Sequence, residues 1–209
     1  MFSIGIRILR DTEDKMVLAE PVRITQYIAR VLDSLSISYF VGGSLASSLH
    51  GVPRATQDVD IIADIKIKNI PELVDAFKQD YYIDPDMIQD AIKHRTSFNI
   101  IHLGTMFKAD IFILKPDTLS QIEMKRRQQY QISDIPQQTL FLASAEDIII
   151  NKLYWFQLGG GVSERQWNDA LGVIKIQSKN LDYQYLEHAA SERRITDLFE
   201  KALKEIGIK

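Results

Sequence analysis

The sequence predicts an α+β chain: a mixed β-sheet flanked by helices through residue 143, then an all-helical C-terminal region over 144–209. Three observations predict it. Short β-branched and aromatic runs such as Tyr39-Phe40-Val41, Val59-Asp60-Ile61-Ile62 and Ile111-Phe112-Ile113 alternate with longer stretches of helical periodicity. After Leu142 those runs stop, and two serine-led capping patterns open helices instead. No Pro- or Ser-rich linker divides the two textures, so the tail is expected to pack against the sheet.

Taken in order, residues 1–20 read as an N-terminal arm and 21–143 as the sheet-bearing domain. Ile24, Ile28, Val31, Leu32 and Leu35 recur at helical spacing behind Pro21, a residue suited to a first turn. Ile37–Val41 reads as a strand ended by Gly42-Gly43, with a short helix over Ser44–His50. A strand follows over Gln57–Ala63, then an amphipathic helix over Pro71–Asp80. Phe98–Leu103 and Phe107–Leu114 are two strands joined near Gly104, the pattern of a hairpin. Thr118–Gln128 is helical, and short strands are expected around Tyr130–Ile132 and Thr139–Leu142. In the tail, Ser144-Ala145-Glu146-Asp147 opens a helix that ends at Gly159-Gly160-Gly161. Ser163-Glu164-Arg165-Gln166 opens another, and Asp182–Ser191 and Thr196–Ile206 complete the set.

Composition narrows the function classes. The chain of 209 residues has no cysteine, which excludes a disulfide framework, a thiolate nucleophile and a cysteine-ligated zinc. Twenty-five basic residues against 28 acidic give a net charge of −3, which argues against a broad nucleic-acid surface. The basic runs Lys125-Arg126-Arg127 and Arg193-Arg194 read as solvated helix faces more readily than as RNA contacts. No apolar run reaches the ~20 residues that span a bilayer, and the first residues lack a signal-peptide pattern; a cytoplasmic protein is expected.

One constellation carries chemistry. Gly42-Gly43-Ser44 is followed, after thirteen residues, by Asp58-Val59-Asp60. Glycines between a strand and a helix let backbone N–H groups approach an anion, and Ser44 adds a hydroxyl. Residues i and i+2 of a strand share a face roughly 6–7 Å apart, so Asp58 and Asp60 converge. Two such carboxylates repel unless a cation lies between them, and hard oxygen donors suit Mg²⁺ or Mn²⁺. A phosphate cradle beside a divalent cation suits phosphoryl or nucleotidyl transfer. Asp110, a lone charge in the apolar strand Ala109-Asp110-Ile111-Phe112, completes an acidic triad if its strand neighbours that of Asp58 and Asp60. An ion pair with Lys108 or Arg95 is its structural alternative.

In this order, Gly-Gly-Ser, a spacer holding Gly51-x-x-Arg54-x-Thr56, Asp-x-Asp and a later strand aspartate resemble the nucleotidyltransferase superfamily, with its polymerase β-like fold. Within it the chain is most similar to AbiEii-type toxin proteins and the minimal nucleotidyltransferases. Glu146-Asp147, Lys152-Leu153 and Arg165-x-x-x-Asp169 resemble the AbiEii pattern downstream, with departures at Asn168 and Gly172. The resemblance implies transfer of an NMP from an NTP to a hydroxyl on RNA or protein. It also implies Mg²⁺ or Mn²⁺ on Asp58, Asp60 and Asp110, with Asp110 helping to activate the acceptor. Gly42, Gly43, Ser44, Arg54 and Thr56 would bind the nucleotide, and Lys152 would contact triphosphate or transition state. Arg165 and Asp169 are further candidates, and an antitoxin-like partner belongs to the toxin reading. The alternative is a catalytically silent module of the same fold that binds nucleotide or protein. Arg54 is open to a carboxylate partner as well as to phosphate, and Lys152 to a surface position with a buried stem.

Overall fold

The structure, a computed structural model, describes residues 20–132 and 139–208. The expected N-terminal arm lies outside them except for Glu20, which opens the first helix. In chain order the elements are α1 (Glu20–Ser34), β1 (Tyr39–Val41), α2 (Gly43–His50), β2 (Asp58–Ala63), α3 (Ile70–Phe77), β3 (Tyr81–Tyr82), α4 (Pro85–His94), β4 (Ser97–His102), β5 (Lys108–Ile113), α5 (Thr118–Arg126), β6 (Gln128–Gln131), β7 (Thr139–Leu142), α6 (Ala145–Leu158), α7 (Glu164–Gln177), α8 (Tyr183–Glu192) and α9 (Thr196–Glu205). One sheet joins all seven strands in the order β3-β4-β5-β2-β1-β7-β6. It is mixed, as expected: β2 pairs parallel with β5 and β1 with β7, and the other pairings are antiparallel.

Strand alternation makes the sheet two-faced. Val59, Ile61 and Ala63 of β2, Ala109, Ile111 and Ile113 of β5, and Tyr39 and Val41 of β1 enter one core with Ile28 and Leu32 of α1, Leu73 and Phe77 of α3 and Ile88 of α4. The opposite face turns Phe40 and Ile62 toward a second core. That core is built by Ile149 and Leu153 of α6, Val173 of α7, Leu186 of α8 and Phe199 of α9. It also recruits Ala46, Leu119 and Met124 from the first part of the chain, so the helical tail packs on the sheet.

Two elements between α3 and β4, namely β3 and α4, escape the sequence pattern. The signal for α4 lies in Asp84-Pro85: Asp84 caps the helix by accepting from the N–H groups of Asp86 and Met87 at 2.8 and 3.0 Å, with proline in the first turn. In the tail, Ser144 does cap α6, accepting from the N–H of Asp147 at 3.1 Å. Ser163 precedes α7 but makes no side-chain cap, so the second capping box does not form.

Candidate active site

The site lies on the sheet face turned toward the helical tail. Residues of β2 alternate, which puts Asp58 and Asp60 on the same side as Ile62. Parallel pairing of β2 with β5 sets Asp60 opposite Asp110 and Asp58 opposite Lys108. Asp110 thus joins the other two carboxylates through backbone register. Antiparallel β4 adds Asn99 opposite Asp110. Asn99 is the residue that sequence reasoning missed; the available signal was a polar side chain inside Phe98-Asn99-Ile100, comparable to that of Asp110.

Each carboxylate has different company. Thr56 Oγ1 donates at the head of β2, 2.9 Å from the carbonyl of Asp58 and 3.1 Å from its Oδ1, which orients that side chain. Asp110 is held on both oxygens: Asn99 Nδ2 donates to Oδ1, and Lys108 Nζ lies 2.8 Å from Oδ2. Of its two expected ion-pair partners, Lys108 is therefore the one used, and Arg95 instead donates to the carbonyl of Leu114. No side-chain donor reaches Asp60 among the described residues. Burial, then the charges of Asp58 and Asp110, push its carboxyl up to about 6 against the opposing pull of Lys152 and Lys108.

The turn after β1 closes over Asp60. The N–H of Gly42 donates to the carbonyl of Asp60 at 2.8 Å, docking the turn on β2. Gly43 has φ of +55°, and a Cβ built on it would come 1.7 Å from Asp60 Oδ2. Glycine is required there twice over, by backbone conformation and by the approach of the carboxylate. Gly43 and Ser44 open α2, so the helix N-terminus abuts the acidic cluster.

A chain of ion pairs ties this corner to the tail. Arg54 grips Asp169 of α7 through Nε–Oδ1 at 2.9 Å and Nη2–Oδ2 at 2.8 Å, and Nη2 also donates to Ser44 Oγ at 2.5 Å. Lys152 of α6 places Nζ 2.8 Å from the same Asp169 Oδ2. Its side chain is only 6% exposed, which overturns the surface-lysine reading. Burial works to raise the Asp169 carboxyl, but the bonds from Arg54 and Lys152 prevail and hold it below the usual range. The guanidinium of Arg54 is raised in return by its bond to Asp169. Arg165 stands one turn before Asp169, is exposed and takes no part in this chain, so it is not gathered with the other candidates.

Three carboxylates with no cysteine or histidine among them form a donor set fit for a hard cation such as Mg²⁺ or Mn²⁺. Among the described residues, no three such side chains already stand where one ion could hold all of them. Both oxygens of Asp110 are already in contact, one with Asn99 and one with Lys108.

No family model matches the sequence, and no curated protein matches it. Solved structures do. An antigenic nucleotidyltransferase-like protein from Paracoccidioides brasiliensis aligns over 88% of this chain and 92% of its own, at 20% identity and a TM-score of 0.54. The ANT(2'')-Ia protein, solved in complex with adenylyl-2''-tobramycin, aligns over 83% of this chain and 96% of its own, at 15% identity and a TM-score of 0.55. The same protein in solution, described as an antibiotic-resistance factor, gives 14% identity and a TM-score of 0.51. The chain is folded as these nucleotidyltransferase-like proteins are.

Proposed function

We propose that the protein is a nucleotidyltransferase that moves an NMP from an NTP to a hydroxyl acceptor on RNA or protein. The observation that carries this reading is the register of β2 against β5. It sets Asp60 beside Asp110, with Asp58 on the same face and the Gly43-Ser44 helix start packed on the Asp60 carboxylate. The fold of the adenylyl-tobramycin complex and the nucleotidyltransferase-like protein supports the same class.

In this reading Asp58, Asp60 and Asp110 hold Mg²⁺ or Mn²⁺, which when bound supplies charge neutralisation on the phosphate oxygens. The backbone of Gly43 and the hydroxyl of Ser44 grip the distal phosphates at the positive end of α2. Arg54 and Lys152, each already on Asp169, offer their remaining N–H groups to the triphosphate. The acceptor oxygen bonds to the α-phosphorus, the bond to the β-phosphate oxygen breaks, and pyrophosphate leaves. The hydroxyl proton passes to Asp110, once that carboxylate is freed from Lys108. The same residues underlie an AbiEii-type toxin role with an antitoxin partner, supported by Lys152 and Asp169 but not by Arg165.

One observation favours the silent module instead: both oxygens of Asp110 are engaged by Asn99 and Lys108. Calorimetry of the four NTPs with and without Mg²⁺ separates the readings, followed by incubation with labelled NTP and total RNA or protein. Metal-dependent binding that Asp60→Ala abolishes, with label transferred, supports the enzyme. Binding without transfer to any acceptor moves the assignment to the silent module, and unchanged binding in Asp60→Ala sinks the site altogether.

A further inference from the structure

We infer that Lys108 is the resting counter-ion of the carboxylate cluster, and that it makes the site reject a free divalent cation and accept one only together with a nucleoside triphosphate. The inference rests on the proposed function and deepens it, since it concerns how that same site is loaded.

Register comes first. Lys108 is the first residue of β5, two before Asp110 and directly opposite Asp58 on β2. Residues two apart on a strand share a face, so the ammonium rises on the side of the three carboxylates. It is seated 2.8 Å from Asp110 Oδ2, while Asn99 occupies Oδ1. Each oxygen of the third carboxylate thereby has a partner, alongside the lack of a ready three-residue cage among the described residues. A free cation that draws on Asp110 therefore competes with a charge-assisted bond and meets an ammonium beside its own charge.

Arrival with a triphosphate changes both terms. The Lys108 side chain is 43% exposed, against 18% for Asp110, so the ammonium lies on the solvent side of its pair and the flexible stem is free to swing. Polyphosphate oxygens give the displaced ammonium an alternative anion, and Asp110 is released to the incoming ion in the same event. Lys152, the other ammonium acting on Asp60, cannot play this part, because it is buried and paired with Asp169. Metal and nucleotide then bind as one unit, and the acceptor-activating carboxylate stays neutralised until a substrate is present.

The test measures Mn²⁺ affinity by electron paramagnetic resonance rather than turnover, using full-length wild type, Lys108→Met and Lys108→Arg. Each is titrated with Mn²⁺ alone and with Mn²⁺ plus α,β-methylene analogues of the four NTPs. Wild type is expected to bind free Mn²⁺ at least tenfold more weakly than Lys108→Met, with Lys108→Arg resembling wild type. Adding the matching analogue should tighten Mn²⁺ binding to wild type and narrow that gap. Equal affinity of wild type and Lys108→Met for free Mn²⁺, with normal tightening by an analogue, overturns this inference and leaves the proposed function standing. Absence of Mn²⁺ binding to folded protein in every combination overturns both.

Discussion

Two trios of carboxylates lie among the described residues, one on the sheet and one where the tail meets it, and they are partnered to different degrees. At the joint, Glu146 forms an ion pair with Arg126, Nη2 to Oε2 at 3.2 Å, and accepts from the N–H of Asp182 at 3.0 Å. Asp147 accepts from the hydroxyls of Tyr185 at 2.5 Å and Ser144 at 2.7 Å, and Glu123 pairs with Arg193 at 3.4 Å. The Arg126 guanidinium also stacks on Tyr185, 3.8 Å from the ring centre. On the sheet, Asp60 has two carboxylate neighbours and no side-chain donor among the described residues. A buried charge matched by guanidinium, hydroxyl and N–H groups joins two parts of a fold. On the sheet Asp60 alone of the three lacks a side-chain donor among the described residues and faces two like charges, an arrangement that costs stability and that a bound cation would relieve.

The comparison breaks most directly at Asp147. Asp147→Ala strips the acceptor from Tyr185, Ser144 and the nearby Arg126, and should lower unfolding stability by about 3–5 kcal/mol in denaturant titration. It should leave the NTP affinity of the folded protein unchanged. A loss under about 1 kcal/mol would mean that the joint is not what fixes the tail.

Glu123 sharpens it through pH. Burial, then the charge of Asp147, push its carboxyl up to about 7 from an ordinary 4.5 despite Arg193. The folded state therefore holds a proton that the unfolded state has lost across that window, and stability falls as pH rises through it. Glu123→Gln should flatten that part of the stability–pH curve measured by thermal melts; an unaltered slope would place the proton elsewhere.

On the sheet the sign reverses for stability. In EDTA, Asp60→Asn should keep or raise stability, by up to about 1 kcal/mol, because it removes like-charge repulsion. The same substitution should abolish metal-dependent NTP binding. A marked loss of stability would instead make Asp60 a structural residue like those of the joint. Smallest of all, Arg165→Ala should change stability by less than about 0.5 kcal/mol and leave NTP affinity unaltered, as befits an exposed side chain outside both clusters. A tenfold loss of NTP affinity would bring it back to the site.

Local patterns determined much of this protein. Alternation in Asp58–Ala63 and Lys108–Ile113 specified strands with one apolar and one acidic face, since side chains of a strand must alternate. The glycine pair before Ser44 specified a turn into a helix, and the serine at 144 specified the start of α6. Only tertiary structure decided which charges meet. The parallel pairing of β2 with β5 brings Asp110 to Asp60 from fifty residues away, and the packing of α6 and α7 on α2 delivers Lys152 and Asp169 to Arg54. The solvated-face reading of the basic runs holds for the exposed Lys125 and Arg194 and fails for the other three for the same reason. Arg126 and Arg193 turn inward to Glu146 and Glu123, while Arg127 lies 4.8 Å from the ring centre of Phe141. Propensity and periodicity act over a few neighbouring residues. Coulomb attraction and burial act between whatever residues the folded chain brings within a few ångströms, and no local pattern in the sequence records those distances.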